Sequence, residues 1–237
     1  MRYVLVLLLA ASCSPLYVLN TRNVPLFKQS GEFQGAVFAT TGGADLQTAF
    51  SLTDHVALMG NFSYGSSKKD SPAGEYTKKN SFGELGLGYY KVKRHSRFEV
   101  FGGYGMGKGT SYDQYYFYSL NNDVIATGKF HRIFLQPSIG TNNRNFNLAF
   151  TSRLSWMKYT EFSSPHNKTV TPDEKYQLFI EPAFTGKFHL AGNLHGIFQL
   201  GLAVPTPAEP YFEYMPLQFA VGLQVDTNNR LRTRVYK

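Results

Sequence analysis

The sequence predicts an all-β chain: an antiparallel, up-and-down transmembrane β-barrel of about ten strands. Three observations predict it. From Phe33 onward, runs of about ten residues alternate apolar and polar side chains, a period of two that belongs to strands and not to helices. Tight and long connections alternate between those runs, which is the asymmetry of a membrane barrel with short turns at one rim and longer loops at the other. No run after residue 12 approaches the eighteen apolar residues of a spanning helix.

The chain opens with "MRYVLVLLLAASC". The apolar core from Tyr3 to Ala11 follows a single positive charge at Arg2 and is about half the length of a spanning helix. It reads as a secretion signal. Small residues Ala10, Ala11 and Ser12 lead directly into Cys13, the only cysteine. This order resembles the bacterial lipoprotein signal, which is cut before the cysteine. The resemblance implies a signal peptide over residues 1–12 and a lipid, palmitate among its chains, on Cys13. Position 10 departs from the usual leucine, and an ordinary secretory signal with a coincidental cysteine is the competing reading. A lone cysteine has no partner in its own chain, and lipidation explains it. Behind it, "SPLYVLNTRNVPLF" has neither periodicity and holds two prolines, so residues 13–30 read as an extended tether.

Ten alternating runs follow, over residues 32–40, 44–53, 55–64, 81–92, 97–108, 129–140, 146–159, 175–189, 194–204 and 211–225. In "KYQLFIEPAFTGKFHL", Tyr176, Leu178, Ile180, Pro182, Phe184, Phe188 and Leu190 share one face. In "FNLAFTSRLSW", Phe146, Leu148, Phe150, Leu154 and Trp156 do the same. Tight links, "TDH", "KRHS", "NNRN" and "AGN", carry the Asn, Asp, Gly and Ser chemistry of hairpins. Long polar stretches separate them, among them "SSKKDSPAGEYTKKN" and "TEFSSPHNKTVTPDE". The barrel is thus expected over 31–225, with a basic tail over 226–237. Eight strands remain if the first hairpin, Glu32 to Thr53, lies outside it.

The polar faces indicate what lies within. They carry many small residues and isolated charges of both signs: Glu32, Asp45, Glu84, Arg97, Glu99, Arg132, Arg153, Glu181 and Lys187. Charges in a crowded interior must be paired, so these nine are candidate lumen charges expected to neutralise one another across the barrel. Tyr64, Tyr89, Tyr104, Phe130, Trp156, Tyr159, Tyr176, Phe188 and Tyr211 fall near strand ends, as girdle aromatics do. Periodicity alone leaves open a soluble, lipocalin-like periplasmic barrel with its apolar faces turned inward.

"GEFQGAVFATTGGADLQTAFSLTDHVALMGNFSY", Gly31 to Tyr64, with its Gly-Glu opening, Gly-Gly turn and "LQTAFSLTDH" hairpin, is similar to outer-membrane barrel lipoproteins of Bacteroidota. That resemblance implies a location, the outer membrane with anchoring through Cys13, and supplies no catalytic residues. One departure is the end of the last strand near Val225, where such barrels usually finish the chain on an aromatic residue.

Composition removes other classes. Loss of residues 1–12 takes away Arg2 and lowers the formal charge from +8 to +7, but the lysines are scattered apart from Lys68, Lys69, Lys78 and Lys79. That is no nucleic-acid interface. The six histidines form no metal-ligand spacing. "GGYGMGKG", Gly102 to Gly109, lacks the helix of a phosphate loop. Asp70, Asp113, Asp123, His166 and Asp173 lie in or beside outer loops, where a rim protease would need them, but make no motif. No catalytic, metal or cofactor residues are assigned. The expected partners are outer-membrane lipid and a surface ligand at the tyrosine-rich loop Ser111 to Asn122, whose rings offer contact area at low entropic cost. The expectation is therefore a non-enzymatic structural or surface-interaction barrel with a largely filled lumen; a narrow channel is the other use of that fold.

Overall fold

The structure, a computed structural model, describes residues 15–71, 74–113, 124–163, 176–206, 212 and 214–227. The strands are β1 (Phe33–Thr40), β2 (Gly43–Ser51), β3 (Val56–Ser71), β4 (Gly74–Val92), β5 (Ser96–Asp113), β6 (Val124–Thr141), β7 (Phe146–Ser163), β8 (Gln177–Ala191), β9 (Leu194–Leu202), β10 (Val204–Thr206) and β11 (Leu217–Thr227). Each pairs antiparallel with its neighbours, and β1 pairs with β11 from Phe33↔Thr227 to Thr40↔Ala220. The sheet is closed. β9 and β10 face β8 in one register, Gly201 opposite Ala183 and Val204 opposite Ile180, so they form a single stave interrupted at Ala203. There the backbone N–H turns to the Pro216 carbonyl at 2.9 Å. The barrel has ten staves.

The first hairpin closes the barrel, which settles the count at ten and not eight: β1 lies between β2 and β11. Other boundaries differ from those the alternation suggests. β3 and β4 run on through Ser71 and Gly74, and their ladder includes Ser66↔Lys79 and Lys68↔Thr77, residues expected in a loop. Above the membrane neither face meets lipid, so both can be polar and the period vanishes while the backbone ladder continues. β11 begins at Leu217, not at 211, because Tyr214 makes only an isolated parallel bridge to Tyr17. It also continues to Thr227, two residues into the expected tail.

The apolar face points outward. Leu85 is 74% exposed, Leu87 57% and Val37 55%, while Glu181, Arg153 and Gln199 on the opposite face are fully buried. A water-soluble barrel would invert this arrangement, because exposed apolar patches on soluble monomers stay small. This excludes the lipocalin-like reading. On β3 the outward apolar side chains run from Val56 to Tyr64. Nine tilted strand residues rise roughly 23 Å, which matches the roughly 25 Å lipid-facing band of membrane barrels. The chain is a membrane-spanning β-barrel.

Tyr64, Tyr89, Tyr104, Tyr176 and Phe188 are exposed on the outer wall, as girdle residues should be. Phe130 and Tyr159 are not: both are buried and pack edge to face at 5.6 Å inside the barrel. Phe130 keeps the inward parity of Arg132 and Phe134 on β6, and Tyr159 that of Arg153 and Met157 on β7, so both rings fall on the lumen face, where they are paired across the two strands. Glycine makes room for such rings. A Cβ at Gly103 would lie 2.2 Å from the Leu85 carbonyl oxygen and 2.6 Å from the Phe134 ring. Gly103→Val should therefore cost about 1–3 kcal/mol or more, read as a lower urea midpoint by fluorescence of Trp156, the only tryptophan.

Candidate functional site

The lumen is occupied by the protein itself. Residues 15–27 are all buried and run through the barrel as a segment with no strand ladder of its own. This corrects the reading of that stretch as a tether outside the folded part. Thirteen residues can span at most roughly 40 Å, enough to cross the lipid-facing band. The direction is defined by what each end touches. Leu16 lies against Gly109 and Gly128, in the halves of β5 and β6 nearest their long connection. Val18 meets Gly42 in the β1–β2 turn at the same rim. Leu26 packs on Gly140 and Ala149 beside the tight β6–β7 turn, Phe27 on Tyr90 near the tight β4–β5 turn. The chain therefore passes from the long-loop mouth to the short-turn mouth and reverses there at Gly31, whose φ of +76° suits glycine.

Between Leu19 and Phe27, wall side chains meet six carbonyls and three N–H groups of this segment. The amide nitrogens of Gln218, Gln47, Gln199 and Gln136 donate to the carbonyls of Leu19, Thr21, Arg22 and Asn23 at 2.9, 3.0, 2.9 and 2.7 Å. Lys187 Nζ donates to the Pro25 carbonyl at 3.0 Å, and Arg97 to that of Leu26. In the other sense, Thr21 N–H donates to Asp45 at 2.6 Å, Arg22 N–H to Gln199 Oε1 at 2.7 Å, and Phe27 N–H to Glu99 at 3.0 Å. Gln199 thus holds both the N–H and the C=O of Arg22, as a neighbouring strand would. A buried strand without a ladder needs such partners for its polar groups.

Midway, the strand's side chains enter a charged cluster. Glu84 forms a close ion pair with Arg132 and lies 3.4 Å from Arg153, and it accepts from Asn20 at 3.0 Å and Asn61 at 2.6 Å. Asn20 Oδ1 accepts from Arg132 and Arg153 at 2.9 and 3.1 Å. Tyr17 Oη accepts from Arg132 and donates to Glu181, both at 2.7 Å. Arg22 lies 3.7 Å from Glu181 and donates to Gln218 at 2.8 Å. The Arg132 guanidinium also sits 4.3 Å above the Phe82 ring, a cation–π contact that offsets part of its desolvation.

All nine candidate lumen charges are buried. Only Glu84, Arg132, Arg153 and Glu181 pair across the lumen as expected; Asp45, Arg97, Glu99 and Lys187 are spent on the strand, and Glu32 accepts the Lys28 N–H at 2.9 Å near the turn mouth. The central four also touch the strand through Tyr17, Asn20 or Arg22. Sequence reasoning missed Tyr17, Asn20, Thr21 and Arg22, and the six lumen glutamines at 34, 47, 136, 199, 218 and 224. Glutamine at inward positions of successive strands was the available signal. Cys13, Asp123, His166, Asp173, Tyr211 and residues 114–122 of the tyrosine-rich loop lie outside the described residues, as do the side chains of Asp70 and Asp113.

Fold and lumen define a class: a closed ten-stave transmembrane barrel filled by its own N-terminal segment. No protein-family model matches the chain, and no curated protein does. Among solved structures it is similar to the translocator domain of autotransporter NalP from Neisseria meningitidis, at 10% identity over 82% of this chain and 86% of that one, with a TM-score of 0.48. The KdgM porin matches at 9% identity over 83% of this chain and 99% of its own, TM-score 0.37. OmpT, an outer membrane protein of Vibrio cholerae, matches at 8% identity over 86% and 100%, TM-score 0.25. At such identities nothing of those proteins' activities transfers to this chain.

Proposed function

We propose that this chain is a lipid-anchored outer-membrane barrel that neither catalyses nor conducts, and that serves as a structural or surface-interaction protein. The observation that carries this reading is the occupied lumen: residues 15–27 are buried within it, and side chains from six staves bind their backbone. Long loops of such barrels face outward, and residue 15 lies at the long-loop mouth. Cys13, two residues upstream, is then within about 7 Å of that mouth, which favours acyl chains in the outer leaflet and a barrel held from the cell surface. Lipid is the first partner in this reading, and a surface ligand at loop Ser111 to Asn122 the second.

Single-channel recording on the full-length protein in planar bilayers tests the sealed state. No stable conductance is expected, and a steady, sizeable one would contradict the proposal. Membrane fractions of the Cys13→Ser variant, washed with carbonate, test the anchor's share. The barrel should stay in the membrane with heat-modifiable gel mobility; release into the soluble fraction would show that the lipid alone holds it.

A further inference from the structure

We infer that the barrel wall is a binding site for an extended polypeptide, which residues 15–27 occupy as a ligand supplied by the same chain. The inference rests on the sealed barrel proposed above and assigns its interior a recognition chemistry. Four glutamines, a lysine and an arginine from β2, β5, β6, β8, β9 and β11 address carbonyls of residues 19–26, groups that every peptide possesses. Two side chains add selectivity. Asn20 sits between Glu84 and the two arginines, and Arg22 between Glu181 and Gln218, so the wall reads Asn-x-Arg on an extended backbone.

The occupant is attached as a ligand is, not as a stave. It makes one isolated bridge, Tyr17 to Tyr214, and no ladder. Its link to β1 is short and partly open: Lys28 and Gln29 are exposed, and nothing lies within 4 Å of the position a Cβ would take at Gly31. Leu26 holds a left-handed φ of 57°, a strained conformation for leucine that release would relax. A wall whose donors all face inward stays complementary to another extended chain once this one leaves.

The test uses the full-length Cys13→Ser protein with a protease recognition sequence inserted after Gln29, folded and then cut. After cutting, the N-terminal fragment should wash out in mild urea while the heat-modifiable barrel band persists. A synthetic peptide of residues 14–29 should then rebind saturably at one site. N-methylation at the Arg22 nitrogen, or Gln199→Leu in the wall, should weaken rebinding about tenfold or more. The inference is overturned if the fragment leaves only when the barrel unfolds, or if the N-methylated peptide binds as well as its parent. Conductance of the uncut protein would instead count against the proposed function, so the two failures are distinguishable.

Discussion

Glu84→Ala is expected to prevent the barrel from reaching its folded, heat-modifiable form. Among the described residues, Glu84 is the one carboxylate in contact with both Arg132 and Arg153; with it gone Arg153 loses its ion pair, and Arg132 and Arg22 share Glu181. All of these side chains are buried. Removing one partner of a buried pair leaves an uncompensated charge and costs about 3–5 kcal/mol. Glu84→Gln keeps oxygen and nitrogen at the same place and should be milder, since it can still accept from Asn61. Unheated gel mobility and urea unfolding followed by Trp156 fluorescence give the ranking. A Glu84→Ala protein as stable as the parent would mean that water, not Glu84, neutralises the cluster.

Leu85→Arg is expected to destabilise the barrel by about 2–4 kcal/mol in lipid, the cost of a cation at the bilayer midplane of a barrel's outer face. Leu85 is paired with Gly60, at the centre of the apolar stretch from Val56 to Tyr64. Lys79 is also exposed on β4, further towards the long-loop rim. Lys79→Leu should change stability by no more than about 0.5 kcal/mol. Equilibrium unfolding from vesicles measures both. Equal, small effects at the two positions would contradict an outer wall immersed in lipid.

The sheet was legible because each stave meets two unlike solvents, and Phe146, Leu148 and Phe150 alternate with Asn147, Ala149 and Thr151 for that reason. Closure by the first hairpin was not legible, since parity is even with or without it. The strand in the lumen was hidden for the opposite reason to the staves. It is surrounded by wall on every side, so Leu19, Asn20, Thr21 and Arg22 are all buried and no period marks a face. The lumen charges could be named from their positions, but not their partners, because a register across the lumen is set by closure and not by neighbours in sequence.

Disulfide trapping in the cysteine-free Cys13→Ser background tests most directly that the N-terminal segment threads the barrel, and in which direction. The position of a Cβ at Gly42 lies 2.4 Å from Val18 Cγ1, and one at Gly140 lies 2.6 Å from Leu26 Cδ2. The pairs Val18→Cys with Gly42→Cys, and Leu26→Cys with Gly140→Cys, should each oxidise in the folded protein. The crossed pair, Val18→Cys with Gly140→Cys, should stay reduced. Free thiols in both matched pairs, or cross-linking in the crossed one, would contradict the threaded strand.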